Sequence, residues 1–347
     1  MFIDPHVHLR DWNQVDKESV KHGLEVALAS GVDAVFDMPN ADPPIMTREN
    51  VIDRLRLGRE AGVKGVFYGV YVGVTAEMEQ VKAAADLVNE FTNVVGLKLY
   101  AGHSTGDLGV IREEDQQRVY ETLSEVGYEG ILAVHCEKES EMDGSIWNPG
   151  NPMSHCLARP ESAEIASVGD QLKFAGQYNF PGKLHIVHVS SPTAVEMIDT
   201  ARSSLDVSCE VCPHHFIFDY GEMDKPDGIL YKMNPPLRSV ESRDRLFQYL
   251  RSGKIDWLAT DHAPHTLGQK NGQNAASGIT GVNRWDLFRE YLAFNDFDGG
   301  MIERLTFENA RDRFGVDVDN RNSPTEDRTK DYPIDFYSRI ADEIGYK

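Results

Sequence analysis

Short apolar runs alternate with longer segments of helical spacing along most of the chain. Runs at 2–4, 34–38, 65–72, 94–100, 130–135, 184–189, 207–211 and 257–260 predict eight strands. Between them, apolar residues recur every three to four positions over 19–30, 47–61, 75–91, 112–126, 160–178, 192–201 and 242–251, which predicts helices. Ser19, Thr47, Thr75 and Ser242 are placed to cap the free amides of a first turn. Gly31, Gly62 and Gly127 follow the expected helix ends, where a left-handed residue is needed.

Eight strands with intervening helices match a (β/α)8 TIM barrel. A doubly wound open sheet is the alternative, and the count alone leaves it open. No short repeat stands out, and no interdomain linker divides the 347 residues, so residues 1–347 read as one barrel domain. The stretch 317–332 is rich in Asp, Asn, Arg, Ser, Thr and Pro and reads as a loop or partly disordered segment.

Composition narrows the functions. Lys and Arg total 35 against 56 Asp and Glu, a net charge of −21. A chain this acidic is a poor partner for nucleic acid. The acidity fits either a salt-rich cytoplasm or the solubility that net charge provides. Hydrophobic residues make up 41%, enough for a core. No run approaches the roughly 20 apolar residues of a membrane span. The start carries no basic segment followed by an apolar one, so the expected location is cytoplasmic. The four cysteines, Cys136, Cys156, Cys209 and Cys212, are too few for a disulfide scaffold and read as thiols.

A barrel makes a test, because its active site is assembled from strand C-terminal ends. Ionisable residues fall there. His6 and His8 are two apart, so on a strand both point to one side and can reach one metal; alone, they also read as two surface histidines. Lys98 interrupts the apolar run Val94–Tyr100. It either snorkels to solvent or is buried, and burial lowers its pKa and frees a neutral amine. Such an amine can add carbon dioxide, and the carbamate has two oxygens with which to bridge two cations. His135 ends its run. His185 and His188 are three apart and face opposite sides of a strand; His188, nearer the C-terminal end, is the inward choice and His185 a structural or outward residue. Asp261 follows the last run.

These residues can bind two metals: His6, His8, Lys98 and Asp261 on one, Lys98, His135 and His188 on the other. Imidazole and carboxylate favour two Zn²⁺ per chain, with manganese, cobalt and iron still open. Paired metals share a water and lower its pKa; Asp261 can take its proton and pass it to a leaving nitrogen.

The residues resemble the amidohydrolase superfamily and, more closely, the dihydroorotases. The resemblance lies in Asp4-Pro5-His6-Val7-His8-Leu9-Arg10-Asp11, Asp37-Met38-Pro39-Asn40, Gly96-Leu97-Lys98-Leu99-Tyr100, Cys209-Glu210-Val211-Cys212-Pro213-His214-His215, Lys232-Met233-Asn234-Pro235-Pro236-Leu237-Arg238 and Thr260-Asp261-His262-Ala263-Pro264-His265. These stretches span residues 4–265. Thr306-Phe307-Glu308-Asn309-Ala310-Arg311 resembles the family's C-terminal helix start. His-x-His alone says only superfamily; the combination is specific.

The resemblance implies reversible hydrolysis and cyclisation between L-dihydroorotate and N-carbamoyl-L-aspartate in pyrimidine synthesis. It implies two zinc ions, a carbamate on Lys98, and Asp261 as general base and acid. Arg10 and Asn40 would bind the substrate carboxylate, in keeping with the charge-assisted fork of a guanidinium. His265 would contact the same carboxylate, and Asn234 and Gly278 would line the ring. The loop 101–109 would close over substrate, with Thr105 bonding the carboxylate. The resemblance also implies a homodimer and association with aspartate carbamoyltransferase. Relatives often carry a β-sandwich built from both chain ends; His6 leaves no room for its first strands, so a barrel without the sandwich is expected. Two other readings are a hydantoinase- or allantoinase-like cyclic amidase, against which Arg10 and Asn40 argue, and a silent subunit, which should have lost ligands. Cys209 and Cys212 read as buried thiols rather than a redox or zinc pair, and His214 and His215 as structural, with at most one pointing inward.

Overall fold

The computed structural model describes residues 1–104, 108–318 and 322–346. Its strands are β1 (Ile3–Val7), β2 (Ala34–Asp37), β3 (Phe67–Gly73), β4 (Val94–Ala101), β5 (Ile131–Cys136), β6 (Lys183–Ile186), β7 (Val207–Val211) and β8 (Trp257–Leu258). They pair in sequence order, each parallel to the next. A parallel bridge between Val7 and His262 closes the ring, and the His8 amide donates to the His262 carbonyl at 2.8 Å. Consecutive parallel strands that close on themselves, with helices between, are a TIM barrel; an open doubly wound sheet would reverse its strand order.

Helices α1 (Val20–Ala29), α2 (Arg48–Glu60), α3 (Met78–Glu90), α4 (Glu113–Glu125), α5 (Met153–Ala158), α6 (Glu161–Gln177), α7 (Pro192–Ala201), α8 (Pro213–Ile217) and α9 (Val240–Arg251) fill the connections. Ser19 and Thr47 cap α1 and α2 through the amides of His22 and Asn50. Such a cap contributes about 1 kcal/mol. Gly31, Gly62 and Gly127 take φ of 79°, 69° and 68°, the left-handed stop that a side chain disfavours. Two expected caps move. Thr75 accepts from the Glu77 amide, and α3 starts later. Ser239, not Ser242, caps α9.

At the functional face, three strand ends differ from the sequence reading by two residues or more. β1 runs on to Val7, which places His6 within the strand, at a register irregularity between Asp4 and Val7. β6 stops at Ile186, because His188 turns left-handed at φ 38°. β8 stops at Leu258, and Thr260 gives its amide and hydroxyl to the buried Asp4 carboxylate instead.

The opposite end is apolar. Ile3, Phe36, Tyr71, Val95, Ile131 and Trp257 form one buried cluster with Phe307 and Ala310 from the C-terminal helical run. Phe314 meets Phe36 at 4.8 Å and Trp257 at 5.9 Å between ring centroids. Arg313, beside it, donates to the Leu184 carbonyl at the start of β6, so this plug sits under the amino-terminal strand ends. Within 317–332, the described residues form no strand or α-helix, yet they are tied down. Asn322 bonds Asp33, Val32 and Gly65, and the Tyr332 hydroxyl donates to Glu18 at 2.6 Å. Among the described residues, no helix is long and apolar enough to cross a membrane.

Candidate functional site

The strand C-terminal ends surround one cavity. His6, His8, Arg10, Asn40, Lys98, His135, His188, Asn234, Asp261 and Gly278 all line it. Each of these is named in the sequence analysis. His265 and Thr105 complete its set. Thr105 lies outside the described residues, while its neighbour Ser104 reaches the cavity wall.

The candidate metal donors fall into two groups. Asp261 Oδ1 lies 2.9 Å from His8 Nε2 and 3.3 Å from His6 Nε2. His135 Nδ1 faces His188 Nε2 at 3.1 Å. Lys98 lines the same cavity, fully buried, and its Nζ has no hydrogen-bond partner among the described residues. Burial pulls the Lys98 amine down to about 8, against the opposing pull of Glu210 and Asp261. A partnerless buried amine among imidazoles and a carboxylate fits a carbamate-bridged pair of divalent cations: the added carboxylate gives the lysine acceptors where it now has only donors. Burial pushes Asp261 up, but His6 and His8 outweigh it, and the carboxyl is held well below the usual range. Burial pushes the imidazole of His8 down to about 4, so its nitrogen lone pair is available at neutral pH.

The far nitrogens show what holds these ligands in place. His6 Nδ1 lies 2.7 Å from Glu210 Oε1, His8 Nδ1 lies 2.6 Å from Asn40 Oδ1, and His135 Nε2 lies 3.0 Å from Glu137 Oε2. At His6 and His8 the far nitrogen is taken by a carboxylate or amide oxygen, which leaves the near lone pair free, the usual arrangement for metal binding; at His135 the Glu137 carboxylate is near without a hydrogen bond. Glu210 was quoted in its motif without a role, and Glu137 was not singled out in the sequence. Glu210 carried a usable signal: it is a carboxylate on a short apolar strand, as costly to bury there as Lys98. Asn40, expected at the substrate carboxylate, commits its side-chain oxygen to His8.

One inference about β6 is overturned. His185 and His188 both face the barrel interior. His185 bonds Ser208 Oγ and Glu210 Oε2, each at 3.0 Å, and stacks on Trp257. His188 joins it inside because its left-handed backbone breaks the strand alternation.

Arg10 also sits on left-handed backbone, at φ 51°. Arg54 of α2 holds that turn. Its Nη1 donates to the Arg10 carbonyl at 2.6 Å, while Nε and Nη2 grip Asp37 at 2.9 and 2.6 Å. Asp37 in turn accepts from the Leu9 amide. Arg10 Nε reaches the Pro264 carbonyl at 3.4 Å and Nη2 lies 3.3 Å from His265 Nε2. Its Nη1 is buried with no hydrogen-bond partner among the described residues. His265 lies behind this guanidinium, with Nε2 3.0 Å from the Ser277 carbonyl, rather than on the cavity wall. Beside it, a Cβ at Gly278 would fall 2.6 Å from the Ala263 Cβ and 3.3 Å from His265 Nε2, and φ there is +133°, so the wall needs a glycine. Tyr100, quoted in its motif but given no role, brings a buried hydroxyl without a partner to the cavity.

Comparisons with known proteins agree with this geometry. No family model matches the chain. Over 286 residues the chain is 35% identical to a protein named dihydroorotase from Pediococcus pentosaceus, covering 81% of this chain and 64% of that protein. A dihydroorotase from Halobacterium salinarum is 32% identical over 286 residues, covering 81% and 63%. The chain therefore spans just under two thirds of the length of these relatives. Among solved structures, the L-hydantoinase (dihydropyrimidinase) from Arthrobacter aurescens superposes with a TM-score of 0.81 at 21% identity, over 94% of this chain and 74% of that one. The dihydropyrimidinase from Brevibacillus agri gives 0.76 at 22% identity, over 90% and 70%. By sequence the chain is similar to dihydroorotases over four fifths of its length, and by fold it is the TIM barrel seen in the hydantoinases.

Proposed function

We propose that the chain is a metal-dependent cyclic amide hydrolase that interconverts L-dihydroorotate and N-carbamoyl-L-aspartate. The observation that carries this reading is Arg10 Nη1, an unpartnered guanidinium N–H at the wall of a cavity that also holds a metal-type donor set. A buried guanidinium is costly without an anion, and a ring carboxylate supplies one. The names of the sequence relatives support the same substrate.

His6, His8 and Asp261 would hold one divalent cation, and His135 and His188 a second, with a Lys98 carbamate shared between them. Two Zn²⁺ suit these donors. Bound there, the pair supplies an activated water and polarises the carbonyl under attack. The remaining work belongs to the chain. Asp261, deprotonated at neutral pH, accepts the water proton on its carboxylate and returns it to the ring nitrogen as the amide bond breaks. Arg10 orients the ring through its carboxylate, so the scissile amide lies over the donor set. Asn234 and Gly278 complete the cavity lining.

The test is ultraviolet-monitored conversion of L-dihydroorotate by the zinc-supplied protein, with hydantoin and allantoin in parallel. Turnover of dihydroorotate alone is expected. Turnover of hydantoin or allantoin instead would replace the substrate and keep the hydrolase. No turnover and no bound metal would favour a silent subunit.

A further inference from the structure

Outside this cavity, another group of metal-ligating side chains lies where β7 runs into α8: Cys212, His214 and His215. All three are buried, at 0%, 1% and 3% exposure. One donor atom from each lies within 4.8 Å of the other two. Their nitrogens need an account. His215 Nε2 lies 3.1 Å from the Pro235 carbonyl oxygen, which accepts a proton, so that nitrogen is the N–H. Nδ1 is then a bare lone pair, and no donor reaches it. Among the described residues, His214 has no hydrogen-bond partner on either nitrogen. Each unsatisfied buried group costs about 1–3 kcal/mol, and three gathered on two adjacent residues is unusual for a folded protein. The other nearby thiol does not share this place: Cys209 Sγ faces the Lys254 carbonyl at 3.7 Å.

We propose that Cys212, His214 and His215 bind a further cation, a thiolate-accepting divalent ion of the zinc class. The donors suit it: one sulfur and two imidazoles, with a fourth position left for water. At Zn–S of about 2.3 Å and Zn–N of about 2.0–2.1 Å, tetrahedral donors stand roughly 3.4–3.6 Å apart, so the three side chains close by little more than about 1 Å. His215 already donates its other N–H to a backbone carbonyl, as metal-bound histidines do. On binding, Cys212 releases its thiol proton to solvent and the sulfur lone pair goes to the cation. The ion would pin the end of β7 to α8 and satisfy the lone pairs that the protein leaves bare.

The two sets share no residue, so this site stands or falls apart from the hydrolase reading. They also differ in one element, since the cavity set contains no sulfur. The experiment loads the metal-depleted full chain with Co²⁺ and records near-ultraviolet absorption and bound cobalt. The expected result is a sulfur-to-cobalt charge-transfer band. In Cys212→Ser this band is lost and bound cobalt falls by one per chain, while the visible bands of the remaining cobalt persist. Cys212→Ala and His214→Gln serve the same comparison if circular dichroism shows that the serine variant is unfolded. Absence of the band in the unsubstituted chain would overturn the site. So would a band that survives loss of Cys212, because the sulfur would then belong to another cysteine.

Discussion

At the amino-terminal end of the barrel, His185 has both ring nitrogens partnered and its face stacked on Trp257 at 4.6 Å. Three residues later on the same chain segment, His188 sits on left-handed backbone with its ring against another histidine. The contrast extends across each end. Below, Phe36, Tyr71, Trp257 and Phe314 pack ring against ring with ordinary backbone geometry. Above, Arg10, His188 and Asp261 all take positive φ, and Lys98 Nζ and Arg10 Nη1 lack partners. Non-glycine residues held this way cost on the order of 1–3 kcal/mol each. The packed end supplies the stability that lets the open end keep its strain. Groups left wanting a partner are what a ligand can satisfy.

Substitutions break this comparison to different degrees. Lys98→Ala removes the group proposed to be shared by both donor sets. Turnover should fall by about three orders of magnitude or more, with loss of bound metal. Two metals per chain with normal turnover would remove the carbamate from the account. Arg10→Ala deletes a charge-assisted contact worth about 1.5–3 kcal/mol, so KM for dihydroorotate should rise about 10- to 100-fold with a smaller change in kcat. An unchanged KM would mean that another group reads the substrate. Glu210→Gln leaves His6 in place with a weaker partner, and metal affinity measured by chelator competition should drop about 10-fold or somewhat more. Phe36→Ala tests the other end. Denaturant unfolding should show about 3–5 kcal/mol lost, while kcat below the unfolding transition stays as it was. A parallel fall in kcat would mean that the two ends are not separable.

The barrel was legible because period and polarity agree along most of the chain. Its strand ends were not, and each miss occurs where a side chain overrides the ladder. Asp4 draws the Thr260 amide away from β8. Left-handed backbone at His188 admits a second histidine that strand alternation excludes. The donors were found as costly residues in apolar runs, and Glu210 meets the same criterion on β7. Arg54 was harder to see. It sits on a helix otherwise rich in charge, and nothing in its spacing tells that its side chain points inward, fully buried, onto Asp37.

That buried pair has a consequence for how the pocket can change. Arg54 grips the Arg10 carbonyl, an atom every residue possesses, and leaves the Arg10 side chain to the cavity. The mounting is thus indifferent to what hangs from it. Replacing the guanidinium with an apolar or amide side chain alters which ring enters without moving the point of attachment. On the proposed function, selectivity for charged or uncharged cyclic amides becomes an exchangeable fitting on a fixed bracket.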